Sequence, residues 1–154
     1  MASDVGGQQP IYPPDLAGRP HSLTRERIVR IQPAALYRAW TQEWDRWFTT
    51  PGSVLMRAGV DEPFFFAVEF EAQVYPHYGR FLRLEPDRLV EFTWLTLGTK
   101  GAETVVTVEL APNEAGTLLR LTHAGFPDEE SMKEYEEGWR SVLEEQEERL
   151  LGGH

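Results

Sequence analysis

Several side chains in this sequence are of a type and spacing that could do chemistry. His123 follows Leu119 and Leu121 at alternating positions. On a strand it shares their inward face, where a neutral imidazole could hydrogen-bond a ligand carbonyl or act as a general base. A satisfied structural histidine fits the same position. Glu69 and Glu71 stand two apart, as do Arg25 and Arg27. Two like carboxylates on a desolvated face would raise one pKa enough for acid or base work, and a solvated outer face is the plainer account. His77 lies beside Tyr75 and Tyr78 where a strand begins, and His21 and His154 sit near the ends and make no metal-ligand spacing with the others. There is no cysteine, hence no thiolate nucleophile, sulfur metal site or disulfide framework. No Gly-rich phosphate loop, nucleophile elbow or His-Glu metal motif occurs. No catalytic residue, metal or cofactor is therefore assigned.

Catalysis from scattered side chains stays open, and the stronger reading is binding by bulky apolar groups. The chain holds 5 Trp, 5 Tyr and 8 Phe in 154 residues. A ligand pocket needs apolar walls and a few polar groups that orient its occupant. The candidate walls are Trp40, Trp44, Trp47, Met56, Phe66, Phe70, Phe81, Phe92, Trp94, Leu121, His123, Tyr135 and Trp139, with Tyr135, His123 and Trp94 as orienting groups. The competing account is that these rings fill the core. Fifteen basic against 25 acidic residues leave a net charge of -10, which opposes binding to nucleic acid or an anionic membrane. No basic leader with an apolar run is present, and no apolar stretch approaches the roughly 20 residues of a membrane span. A cytoplasmic protein is expected.

The elements that must position these groups are readable from period and punctuation. Residues 1–20, with Gly6-Gly7, Gln8-Gln9 and several prolines, read as a flexible arm, and 21–151 as one domain. His21 to Gln32 is the first strand, ending before Pro33. Ala34 to Trp40 and Gln42 to Phe48 read as short helices, with Thr41 breaking the first and capping the second. Ser53 to Arg57, Pro63 to Gln73, His77 to Leu84, Leu89 to Leu95, Glu103 to Leu110 and Thr117 to His123 read as strands. The separators Tyr75-Pro76, Pro86-Asp87, Gly98 to Gly101 and Pro112 to Gly116 carry turn chemistry, and such short links imply an antiparallel meander.

Met132, Tyr135, Trp139, Val142, Leu143, Gln146 and Leu150 then recur at spacings of three and four in a Glu-rich context. This is an amphipathic helix that must cover a sheet. Asp128 is placed to cap it, and Glu129 and Glu130 to favour its dipole. Gly138 inside it costs about 1 kcal/mol relative to Ala, which either a close strand approach or space for a pocket or bend would explain.

Strand, two short helices, meander and long last helix is the order of the helix-grip fold: an α+β architecture with a curved antiparallel sheet of about seven strands around its C-terminal helix. The run from Gly79 to Trp94 (GRFLRLEPDRLVEFTW) resembles the central hairpin of the START-like (SRPBCC) proteins called activator of heat-shock-protein-90 ATPase homologues. Gly116-Thr117 and Leu121-Thr122-His123 at the ends of one strand, Gly125-Phe126-Pro127 leading out, and Gly138-Trp139 in the helix resemble them too. The resemblance covers about His21 to Leu150. It implies a cavity between sheet and helix and an apolar or aromatic small-molecule ligand. It also brings two alternatives: a stress-related chaperone partner, and an enzyme acting on a polyketide-like or ester substrate with His123 as base. A homodimer through a strand edge or the arm is compatible with this order.

Overall fold

The computed structural model describes residues 9–10, 12–49 and 52–152, the side chain of Phe70 excepted. The chain forms β1 (His21–Val29), α1 (Pro33–Gln42), α2 (Trp44–Trp47), β2 (Pro63–Phe70), β3 (Gln73–Glu85), β4 (Leu89–Trp94), β5 (Thr104–Asn113), β6 (Gly116–Phe126) and α3 (Glu129–Leu151). The strands make one sheet in the order β1-β6-β5-β4-β3-β2. Every neighbouring pair is antiparallel. From β2 to β6 consecutive strands are neighbours, as short links dictate. The long β1–β2 connection holds α1 and α2 and lets β1 close on β6. A register shift between Phe81 and Arg83 helps bend the sheet.

α3 packs against β1, β6 and α2. Its predicted stripe is turned inward: Trp139, Leu143 and Gln146 are buried, and Met132, Tyr135, Val142 and Leu150 are half-buried. Asp128 caps the helix, its carboxylate accepting from the Ser131 amide at 2.9 Å. Alternation sets the sheet faces as well. Val106, Val108 and Leu110 of β5 and Leu119, Leu121 and His123 of β6 point to the core. On β3 the inward positions are His77, Gly79 and Phe81. Gly79 is needed bare, because a Cβ there would lie 2.2 Å from both Phe64 Cζ and the Thr93 carbonyl oxygen.

Four sequence expectations are corrected. Ser53 to Arg57 is not a strand; Leu55 alone forms a bridge, to Phe65, so the sheet has six strands. The β2–β3 turn falls at Glu71-Ala72, both at positive φ, and not at Tyr75-Pro76, which lies inside β3 with Pro76 opposite Ala67. Thr41 belongs to α1, where its hydroxyl donates to the Tyr37 carbonyl one turn back at 2.7 Å, and Glu43 precedes α2. β1 ends at Val29 because its partner β6 begins at Gly116, and beyond it the Arg30 amide donates to Glu147 at 2.9 Å.

The described part of the N-terminal arm is tied to the domain. Arg19 donates to the carbonyls of Gly125 at 2.7 Å and Glu103 at 2.6 Å, and Arg80 donates to the Tyr12 carbonyl.

Candidate functional site

A cleft of about 480 Å³ opens between the β2–β3 ribbon, the loop after β4 and α3, with Val68, His77, Thr96, Leu97 and Tyr135 among its walls. An adjoining inner lobe of about 150 Å³ shares Val68, His77 and Tyr135 and is bounded by Phe48, Trp94, Trp139 and Gly138. Local sequence explains both. The tight Glu71-Ala72 turn sets the register that puts His77 opposite Phe66. There its ring stacks on Phe66 with centroids 4.5 Å apart and meets Trp94 edge-on at 5.1 Å. The loop is shaped by a reciprocal pair in which the Thr96 amide donates to Thr99 Oγ1 at 3.1 Å and the Thr99 amide to Thr96 Oγ1 at 3.2 Å. Gly98 makes room for Tyr135, whose hydroxyl oxygen would lie 2.9 Å from a Cβ at that position.

The walls are mostly apolar, and their polar groups are specific. Tyr135 Oη accepts from Trp94 Nε1 at 3.2 Å and shares a 2.7 Å hydrogen bond with Thr96 Oγ1. Burial raises the Tyr135 pKa, so the phenol keeps its proton at neutral pH. His77 Nδ1 donates to the Tyr75 carbonyl at 2.9 Å. Burial lowers the His77 pKa to about 4, against the opposing pull of that carbonyl. The imidazole is therefore neutral at pH 7, with its lone pair on Nε2.

His123 is wholly buried. Its Nδ1 accepts from Trp139 Nε1 at 2.9 Å, and Nε2 lies 2.7 Å from Thr104 Oγ1. An indole N–H can only donate, so Nδ1 carries the lone pair and the proton sits on Nε2. Thr104 Oγ1 takes that proton as acceptor and donates to the Trp94 carbonyl at 2.6 Å. Both imidazole nitrogens are thus committed to the protein. Burial lowers the His123 pKa to about 3.

Of the thirteen candidate walls, the structure brings Trp94, Tyr135 and Trp139 to the cavity. Trp40, Trp44, Trp47, Phe66, Phe81, Phe92, Leu121 and His123 are core residues that line neither the cleft nor the lobe, while Trp94 and Trp139 are as buried as these, at 1% and 2% exposure, and border the lobe from the core. They pack on one another: Trp44 makes edge contacts with Phe66 at 5.1 Å and Phe92 at 5.5 Å, and Trp40 with Trp47 at 4.9 Å. Met56 is half-buried against this cluster, and the Phe70 side chain lies outside the described residues. Glu69 and Glu71 are exposed, the solvated face. Phe48, Val68, His77, Thr96 and Val142 line the cavity without having been singled out as walls. For His77 a signal existed: stepping back by twos from Phe81 through Gly79 reaches it on the inward face. At Gly138 a Cβ would meet nothing within 4 Å, so a close strand approach does not account for that glycine, which borders the inner lobe.

A curved antiparallel sheet, helices in the β1–β2 connection and a long last helix flanking a cleft define a START-like helix-grip protein. Residues 30–151 match the family described as Activator of Hsp90 ATPase homolog 1-like protein, and the chain belongs to that family. No curated protein matches the chain. Among solved structures, protein MLL2253 from Mesorhizobium loti aligns with a TM-score of 0.71 at 24% identity, covering 84% of this chain and 96% of that one. Protein CV1439 from Chromobacterium violaceum gives 0.71 at 24% over 82% and 95%. The AHSA1-like protein from Aeromonas hydrophila gives 0.69 at 15% over 86% and 94%. At these identities the likeness concerns the fold. Among the described residues no helix is long and apolar enough to cross a membrane.

Proposed function

We propose that the protein binds and sequesters an apolar or aromatic small molecule in the cleft beside α3. The observation that carries this reading is the open cleft continuing into a lobe bounded by Phe48, Trp94 and Trp139, with a glycine left in the helix that borders it. Burying apolar surface contributes roughly 25 cal/mol per Å², so a few hundred square ångströms would support micromolar binding after ordering costs.

The test is Gly138→Leu. Gly138 borders the inner lobe and a Cβ there meets nothing within 4 Å, so a leucine at this position is expected to take up lobe volume. Because Gly is about 0.8–1 kcal/mol worse than Ala in a helix and Leu ranks next to Ala, the variant should be slightly more stable than the parent. Native mass spectrometry of freshly purified protein, with extraction of any bound molecule, should show an adduct or apolar-probe binding that the variant loses by tenfold or more. Unchanged binding in a more stable variant would exclude the inner lobe.

The family description favours a second reading, a partner of the 90-kDa heat-shock protein. It predicts complex formation with that chaperone and a changed ATPase rate; an unchanged rate with complex present would remove activation. The enzyme reading with His123 as base has no support in the geometry, since neither ring nitrogen is free.

A further inference from the structure

The polar groups of the cleft leave one hydrogen-bond donor and one acceptor unspent. The Tyr135 and Thr96 hydroxyls hold two hydrogens between them. Tyr135 Oη already accepts from Trp94 Nε1, and Thr96 Oγ1 already accepts from the Thr99 amide. Only one hydrogen is used in the 2.7 Å bond that joins the two oxygens. Whichever oxygen donates there, the other keeps an O–H without an acceptor among the described residues, and both residues line the cleft. Across the same cleft, His77 has spent its Nδ1 hydrogen on the Tyr75 carbonyl, which leaves Nε2 as a lone-pair acceptor with no partner among the described residues. One spare donor and one spare acceptor therefore belong to residues that line one mostly apolar space. No Lys or Arg is among its lining residues, and its one charged side chain is Glu134.

We propose that the cleft selects apolar ligands bearing a neutral hydroxyl group, whose hydrogen is accepted by His77 Nε2 while its oxygen accepts the spare O–H of the Tyr135–Thr96 pair. A hydroxyl is both donor and acceptor and satisfies the two groups together. A hydrocarbon leaves both unpaired, and a carboxylate offers no donor to His77 and meets Glu134 instead of a cation. The inference rests on the cleft being a ligand site.

Three probes on one ring system separate the possibilities: naphthalene, 2-naphthol and 2-naphthoate, titrated into labelled protein at pH 7 and followed at the amides of Leu97, Gly98 and His77. Two modest hydrogen bonds should make 2-naphthol bind about tenfold tighter than naphthalene, with 2-naphthoate the weakest. His77→Leu should bring the naphthol-to-naphthalene ratio close to one. His77→Gln, which restores an acceptor, should recover part of it, and Tyr135→Phe should remove part of it independently. Naphthalene binding with no preference for 2-naphthol, or a preference intact in both His77→Leu and Tyr135→Phe, overturns the inference while the cleft stands as an apolar site. No probe shifting these amides overturns both.

Discussion

Replacing His123 with leucine should lower the unfolding free energy by about 2–4 kcal/mol, read from urea denaturation at pH 7. The size follows from what the imidazole satisfies. Without it the Trp139 indole N–H is buried with no acceptor, which costs about 1–3 kcal/mol. The rest comes from the ring's contacts with Phe126 at 4.3 Å and Tyr135 at 5.1 Å, which a leucine fills imperfectly. The chain Trp139–His123–Thr104–Trp94 ties α3 to β6, β5 and β4, so the loss is global. A loss below about 1 kcal/mol would mean that the network is not part of what holds α3 to the sheet.

The same residue makes the fold sensitive to acid, with a sign opposite to that of a histidine in an ion pair. His123 falls from 6.5 to about 3 and His77 from 6.5 to about 4 on folding, both through burial. Below pH 6.5 the unfolded chain takes up protons that the folded chain refuses, so stability drops as pH falls. The drop continues until the folded values are reached. Each histidine contributes a slope of up to about 1.4 kcal/mol per pH unit in that window. Urea midpoints between pH 7 and 5 should therefore decline in the parent and decline less steeply in His123→Leu.

The legibility of this chain in its sequence divides along physical lines. α3 was readable because its stripe recurs with the helical period from Met132 to Leu150 and its cap is local chemistry at Asp128. The inward faces of β4 and β6 were readable because alternation is strict at Phe92, Trp94, Leu119, Leu121 and His123. The β2–β3 turn was not: Glu71-Ala72 contains neither Gly nor Asn, yet adopts positive φ at both residues, because eight paired positions from Pro63↔Arg80 to Phe70↔Gln73 force it. Pro76 nearby offered a false signal, and the misplaced turn hid His77. Which rings border space and which fill it was also not readable. Trp40 and Trp139 are the same residue type on apolar helix faces, and only the three-dimensional packing leaves a gap beside one of them.

The carboxylate that breaks the α3 pattern is the other large stake. Glu147 adjoins Gln146 on the buried side and is only 6% exposed. It accepts from Arg27 Nη2 at 2.6 Å, the Arg30 amide at 2.9 Å and Arg30 Nε at 3.1 Å. It thereby fastens the C-terminal half of α3 to the end of β1. Burial alone would raise its pKa; the Arg30 amide and the two guanidinium groups outweigh this and hold it below 4.5. Glu147→Leu should cost about 2–3 kcal/mol in urea unfolding, since it takes the acceptor from the Arg30 amide and leaves the largely buried Arg27 charge uncompensated. The pH sign follows from the depressed value: the carboxylate's contribution is fully present above pH 4.5 and is lost as pH falls through the lower folded pKa. Arg27 is two-thirds buried, so removing both charges should be gentler than removing one. The double variant Arg27→Leu/Glu147→Leu is expected to recover at least 1 kcal/mol of the single variant's loss. Strict additivity of the two single losses would instead mean that Glu147 acts through the Arg30 amide and guanidinium, with the ion pair to Arg27 contributing nothing to the grip of α3 on the sheet.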